Sequence, residues 1–163
     1  MAEPLPQFPK EAGELYPLIR ARLHALTDGV PHKIANLSNA AALLWMALPD
    51  INWAGFYLAE GEMLVLGPFQ GKPACIEIPF GKGVCGAAAQ RDQVILVPDV
   101  HRFPGHIACD SASRSEIVCP IHAKGKVTAV LDIDSPTVGR FTQADADGLT
   151  SLIPVLERIF FEG

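Results

Sequence analysis

The chain has 163 residues, of which 49% are hydrophobic and 19% are charged, and its formal net charge at pH 7 is −5. This composition excludes a disordered or fibrous protein, and the length suits one domain with a substantial core. The acidic balance, without a cluster of Lys and Arg, argues against binding to nucleic acid or to an anionic membrane.

The chain begins with segments that predict helices. Residues 1–9 hold three prolines, and we expect them to form a loose arm. Apolar residues recur at helical spacing from Lys10 to Asp28, which predicts a helix that must hold Pro17 in its first turns or break there. The segment from His32 to Leu48 is apolar nearly all round, so it predicts a second, well-buried helix.

Short strands are predicted after residue 50. INWAGFYL (51–58) and MLVLG (63–67) flank a short turn, which indicates a hairpin, and ACIEIPF (74–80) alternates as a strand does. A glycine-rich turn then leads into a short helix from Val84 to Gln90. VILV (94–97) predicts a buried strand.

A long loop over 98–115 separates this part from a second hairpin, EIVCPIHA (116–123) with VTAVLDID (127–134). Thr142 and Asp145 predict the capped start of a last helix that ends near Phe161. Helices at both ends, with five or six hairpin-joined strands between them, predict an α+β fold. We expect one domain over 1–163, in which helices pack on an antiparallel sheet.

The expected compartment is the cytoplasm. The first residues lack the basic start and apolar run of a secretory signal, and no apolar stretch reaches the length of a membrane span. Thiols stay reduced in the cytoplasm, so the four cysteines indicate chemistry or core packing rather than structural disulfides.

Cys109 is the candidate reactive thiol, because it lies in the middle of the long loop and away from any apolar periodic face. Long loops inside compact domains are usually functional, and a reactive cysteine needs access and thiolate character. Cys75 and Cys85 are candidate partners. Cys85 begins a helix, which can lower a thiol pKa, although the favoured interpretation is a small apolar residue that packs this helix. Cys119 lies among apolar neighbours and is expected in the core.

Three acids fall at one end of the second hairpin. Glu116 begins one strand, and Asp132 and Asp134 end its partner on a shared face. Grouped carboxylates raise the pKa of at least one member unless a cation joins them. They form either a site for a ligand ammonium group or a set of solvated strand-end acids.

Trp53 and Tyr57 share one face of the first strand. They are either core aromatics or a wall that shelters an apolar ligand group such as a methyl. His101 and His106 could favour a thiolate or bind metal. The spacing His106-x2-Cys109 has no second pair of matching form, so we expect no metal site.

Four motifs carry a family resemblance: VPDVHRFPGHIACDSASRSEIVCPI, NWAGFYL, GPFQGKPACIEIPFGKGVCG and LDIDSP. In order and spacing they closely resemble the free methionine-(R)-sulfoxide reductases, which are small enzymes of the GAF fold. The similarity runs from about residue 32 to about residue 161. The chain departs from the family at Cys119, where an aliphatic residue is more usual.

The resemblance implies a role for each of three thiols. Cys109 of HIACD attacks the sulfoxide sulfur, Cys75 of GKPAC then forms a disulfide with it, and Cys85 of GVCG is an auxiliary or alternative resolving thiol. A dithiol reductant of the thioredoxin type restores the enzyme, and no metal, flavin or nucleotide cofactor is required.

The resemblance also implies a pocket. Glu116, Asp132 and Asp134 hold the substrate or assist proton transfer, while Trp53 and Tyr57 surround its methyl end. A homodimer is the expected assembly. The main alternative is a GAF domain that senses a small ligand without catalysis, because fold does not fix function. A second alternative is a metal protein that uses the three motif cysteines and His106.

Overall fold

A computed structural model describes residues 7–107 and 111–162. The helices are α1 (Ala12–Thr27), α2 (Lys33–Ala47), α3 (Gly83–Arg91) and α4 (Gln143–Glu162). The strands are β1 (Trp53–Glu60), β2 (Met63–Gly71), β3 (Glu77–Pro79), β4 (Ile95–Val97), β5 (Ser115–Ala123) and β6 (Lys126–Ser135). A 3-10 turn, Val100–Arg102, follows β4.

The strands form one six-stranded sheet in the order β3-β2-β1-β6-β5-β4. Every neighbouring pair is antiparallel. The long hairpins β1–β2 and β5–β6 meet where β1 pairs with β6, so the centre of the sheet joins segments that are far apart in sequence. This arrangement confirms the predicted α+β class and the antiparallel sheet.

The sheet separates two apolar clusters. Along β6, Leu131 and Ile133 belong to the cluster on one face, whereas Val130 belongs to the cluster on the other. Helices α1, α2 and α4 supply most of the first cluster, and α3 contributes to the second. Because side chains alternate, Asp132 and Asp134 face the side that α3 covers.

The helix predictions agree with the structure within two residues. Pro17 lies inside α1, and the helix continues through it. The predicted start of α4 is confirmed: the backbone N–H of Thr142 donates to Asp145 Oδ2 over 2.9 Å, and the N–H of Asp145 lies 3.4 Å from Thr142 Oγ1. This reciprocal pairing satisfies two N–H groups that a helix start leaves free.

Three strand predictions were partly wrong. The strand predicted over 63–67 continues to Gly71. The predicted strand 74–80 is reduced to Glu77–Pro79, because the Cys75 carbonyl accepts a hydrogen bond from the Tyr57 side chain instead of joining a ladder. The segment 94–97 was expected to be buried, but β4 is an edge strand with Ile95 and Leu96 only half-buried.

The predicted loose arm lies mostly outside the described residues. Of its described part, Phe8 packs against the helical core. The Arg22 guanidinium lies 4.7 Å from the centre of the Phe8 ring. Among the helices of residues 7–107 and 111–162, none has both the length and the hydropathy needed to cross a bilayer.

Candidate active site

The three acids meet on the sheet face that α3 covers. Strand register places Asp134 of β6 between Glu116 of β5 and Trp53 of β1. Glu116 is 7% exposed and Asp132 is 5% exposed, while Asp134 is half-buried. The predicted gathering of acids at one end of the hairpin is therefore confirmed. The alternative of solvated acids is wrong for Glu116 and Asp132.

Burial governs the charge state of this acid cluster. Desolvation raises the pKa of Glu116 well above its usual value, and the charges of Asp132 and Asp134 raise it further. Desolvation also raises the pKa of Asp132, although hydrogen bonding with Glu116 opposes this effect. One oxygen of Asp132, Oδ1, is buried without a hydrogen-bond partner among the described residues. A buried oxygen in this state favours a proton or a cationic ligand.

Cys85 reaches the cluster from α3. Its Sγ lies 4.0 Å from Glu116 Oε2, at the limit of a weak hydrogen bond, and the residue is 4% exposed. Desolvation raises the Cys85 pKa, and the charges of Asp132 and Glu116 raise it further. The helix start does not lower this pKa, because burial beside acids outweighs a partial dipole charge. The alternative that Cys85 packs the helix against its neighbours agrees with its place in the second apolar cluster.

Cys119 lies in the helical core and is fully buried, as predicted. Burial raises its pKa to about 12. It therefore acts as a small apolar side chain.

The aromatic pair is held in a stack. The ring centres of Trp53 and Tyr57 lie 5.8 Å apart, and Phe69 also stacks on Trp53, with the ring centres 5.2 Å apart. Both polar ends hold one neighbouring segment: Trp53 Nε1 donates to the Lys72 carbonyl over 3.2 Å, and Tyr57 Oη donates to the Cys75 carbonyl over 2.9 Å. Sequence reasoning missed this second task, because nothing in the local pattern connects strand β1 with residues 72–75.

Cys75 takes part in a disulfide, whereas Cys85 and Cys119 are free thiols. Cys75 is half-buried. Cys109, the predicted nucleophile, lies outside the described residues.

A small cavity of about 40 Å³ brings these groups together. Its lining consists of Trp53, Tyr57, Pro73, Ala74, Ile78, Lys82, Gly83, Val84, Cys85, His106, Ile107, Ser113, Glu116, Asp132 and Asp134. Typical small-ligand sites enclose about 300–1,000 Å³. The lining must therefore open to admit a ligand the size of an amino acid.

Two loop residues also line the cavity, Ser113, which sequence reasoning did not single out, and His106. Ser113 is buried there, and its Oγ accepts a hydrogen bond from Asn52 Nδ2 over 3.2 Å. No local pattern separates Ser113 from the other serines of the loop. His106 lines the cavity while His101 is exposed, and desolvation, followed by the charge of His101, lowers the pKa of His106.

One group of described residues is placed to hold a metal ion: Cys85, Glu116 and Asp132, whose ligand atoms lie within 4.8 Å of one another. This group differs from the metal ligands considered in the sequence, which were the three motif cysteines and His106. His106 lines the same cavity but does not belong to the group.

The fold and the site agree with comparisons to known proteins. The GAF domain family model matches residues 22–156. The chain is 54% identical to Protein YtsP of Bacillus subtilis, over 88% of this chain and 89% of that protein. It is 53% identical to the free methionine-R-sulfoxide reductase of Escherichia coli, over 90% and 88% respectively.

A solved structure gives the same result. The free methionine-R-sulfoxide reductase of Neisseria meningitidis, in complex with its substrate, superposes with a TM-score of 0.86. It shares 40% identity, and the match covers 96% of this chain and 95% of that one. The chain is thus a GAF-domain protein. It belongs to the free methionine-R-sulfoxide reductase family, as its motifs predicted.

Proposed function

We propose that this protein reduces free methionine-(R)-sulfoxide to methionine. The observation that supports this proposal most strongly is that a buried cluster of acids and a stacked aromatic pair line one small cavity together. A free amino acid has an ammonium group beside its side chain, whereas a methionine sulfoxide residue within a protein has none. The names of the similar proteins from Escherichia coli and Neisseria meningitidis agree with this substrate.

In the proposed complex, the substrate ammonium group lies among Glu116, Asp132 and Asp134. It would supply the partner that Asp132 Oδ1 lacks among the described residues. The sulfoxide methyl group lies against Trp53 and Tyr57. Lys82 and the first turn of α3 line the same cavity and offer positive charge to the substrate carboxylate.

The proposed reaction begins when the Cys109 thiolate attacks the sulfoxide sulfur. Two electrons pass from Cys109 to that sulfur while the sulfoxide oxygen accepts a proton. The S–O bond of the substrate then breaks, methionine leaves, and Cys109 retains the oxygen as a sulfenic acid. Glu116 is the proposed proton donor, since its raised pKa keeps it protonated at a pH where an ordinary carboxyl group is ionised.

We further propose that Cys75 resolves the sulfenic acid. Its thiol condenses with Cys109, a disulfide forms and water leaves. The disulfide state of Cys75, beside free thiols at Cys85 and Cys119, supports this choice. Cys85 is the reserve partner. Its raised pKa leaves little thiolate for attack.

Recycling requires two electrons and two protons from an external dithiol, which we propose to be thioredoxin in the cytoplasm. Cys75 is only half-buried and precedes Ile76, which is 70% exposed, so a reductant can approach this segment. Oxidation of NADPH in a coupled assay with thioredoxin and its reductase tests this step. Turnover that depends on another dithiol alone would contradict it.

We also propose a homodimer. Leu26 and Met46 are 42% and 48% exposed, and both line an open apolar groove between α1 and α2. A second copy would cover this surface. Sedimentation equilibrium should give twice the chain mass, and L26E should shift the protein to the monomer. A wild-type monomer at micromolar concentration would contradict the dimer.

The activity is tested with both sulfoxide epimers and single serine variants. Wild-type protein should reduce the R epimer and leave the S epimer intact, and C109S should lose all turnover. C75S should release about one methionine per chain and then slow, unless Cys85 takes over. The double variant C75S/C85S removes that alternative. C119S is the matched control and should turn over normally. Steady turnover in C109S would overturn the mechanism.

A further inference from the structure

We propose that Cys85, Glu116 and Asp132 form a binding site for a thiophilic divalent cation of the zinc type, and that its occupation excludes the amino-acid substrate. The first part depends only on the described residues. The second part rests on the proposed function.

Three donors converge from three elements. Cys85 comes from α3, Glu116 from β5 and Asp132 from β6, and their donor atoms lie within 4.8 Å of one another. Zinc binds at about 2.3 Å to sulfur and about 2.0–2.2 Å to carboxylate oxygen in a tetrahedral site. The donors must therefore move closer together to bind one ion. A water molecule would complete the four-coordinate site.

One oxygen of Asp132 gives separate evidence for a ligand. Its Oδ1 is buried and has no hydrogen-bond partner among the described residues, although the residue is only 5% exposed. A substrate ammonium group explains a carboxylate in this state, but it gains nothing from a neighbouring thiol. A sulfur donor between two carboxylates instead matches the ligand preference of zinc over magnesium or calcium.

Cation binding also resolves the charge conflict of the cluster. Cys85 and Glu116 face each other over 4.0 Å, and each must lose a proton to become a ligand. A divalent ion replaces the two protons with an equal charge, and nearby Asp134 adds further negative potential. The metal and the substrate ammonium group would then compete for the same oxygens of Glu116 and Asp132.

The test uses C75S/C109S protein, whose only thiols are Cys85 and Cys119. Cobalt(II) serves as the probe, because cobalt bound to a thiolate has a charge-transfer band in the near ultraviolet. We expect one cobalt ion per chain. A further C85S substitution in this protein should abolish the band, whereas a further C119S substitution should leave it unchanged. D132N should weaken binding by at least about tenfold. Circular dichroism of each variant confirms folding.

Zinc should displace the cobalt, and free methionine should weaken cobalt binding while N-acetylmethionine should not. No band, or a band that survives C85S, would overturn the metal site and leave the reductase activity to its own assay. A band that methionine does not affect would overturn the exclusion of substrate and leave the metal site standing.

Discussion

The buried carboxyl group of Glu116 lowers the stability of the protein at neutral pH. Desolvation and two neighbouring acids raise its pKa, so the native state holds its proton more tightly than the unfolded chain does. The free energy of unfolding then falls as the pH rises from the ordinary pKa of about 4.5 toward the raised value. Below that window the side chain is protonated in both states, and the penalty is absent.

E116Q should therefore raise the melting temperature at pH 7.5 while lowering activity. Glutamine cannot ionise, yet it keeps a donor toward Asp132. A gain of 1 kcal/mol corresponds to about 2–4 °C for a domain of this size. Differential scanning calorimetry at pH 7.5 and pH 4.5 measures the effect, which should nearly vanish at the lower pH. E77Q, at an exposed position of β3, is the control. An equal gain at both pH values would contradict the assigned cause.

Tyr57 links the aromatic pair to Cys75, the proposed resolving thiol. Desolvation, followed by the charge of Asp132, raises the Tyr57 pKa, so its hydroxyl remains a donor to the Cys75 carbonyl. Y57F removes this hydrogen bond and keeps the ring. A hydrogen bond contributes about 1 kcal/mol, which predicts disulfide formation slower by roughly fivefold.

The rate is measured from the loss of free thiols during a single turnover, with samples stopped by rapid quenching. Y16F is a matched control, because the Tyr16 hydroxyl bonds to Asp145 in the helical core. It should lower the stability and leave the rate of disulfide formation alone. An unchanged rate in Y57F would show that the hydrogen bond does not position Cys75.

Residue-level predictions succeeded where one local rule was enough. Strand alternation placed the three acids together, and the same rule placed Cys119 in the core. The raised pKa of Cys85 could not be predicted from the helix that holds this cysteine. Its causes are burial under the sheet and the charges of Asp132 and Glu116, which come from strands more than thirty positions away along the chain.

At the scale of elements, the approach of α1 to α4 depends on one glycine. A Cβ atom on Gly148 of α4 would overlap the ring of Tyr16, which is 2% exposed. In an open helix, replacing Gly with Ala stabilises by about 1 kcal/mol. Overpacking a core costs about 1–3 kcal/mol, so the clash should decide the sign.

G148A should therefore destabilise the protein, whereas G13A should stabilise it slightly. Gly13 lies in the first turn of α1, and an added Cβ meets nothing within 4 Å. Urea denaturation of both variants compares the same chemical change in two settings. Equal stabilisation by the two substitutions would show that the helices separate at little cost.

The elements themselves were largely predictable, and the exceptions have a physical cause. Helical and alternating periods located every helix and the long strands. The ends of β2, β3 and β4 did not follow from the pattern, because they depend on neighbouring segments. Cys75 gives its carbonyl to a side chain, and β4 has a paired strand on one side only.

At the scale of the whole molecule, the two faces of the sheet differ in what they bury. The helices of one face bury a large apolar cluster, while the other face combines a smaller apolar cluster with the acids and the Cys85 thiol. The sequence predicted the α+β class and, through its motifs, the family. It did not predict that Ser113 and Ile107 line the cavity, because their positions depend on the path of a loop and not on a local period.

The central claim is that the buried acids select a free amino acid. Its most direct test is the ratio of kcat/KM for free methionine-(R)-sulfoxide to kcat/KM for its N-acetyl derivative, in wild-type protein and in D132N. A blocked amine leaves the buried acids unpaired, so wild-type protein should prefer the free substrate by at least about a hundredfold. D132N should lose most of this preference, because the substitution should lower kcat/KM for the free substrate and not for the N-acetyl derivative. Equal kcat/KM for both substrates in the wild-type protein would contradict the account.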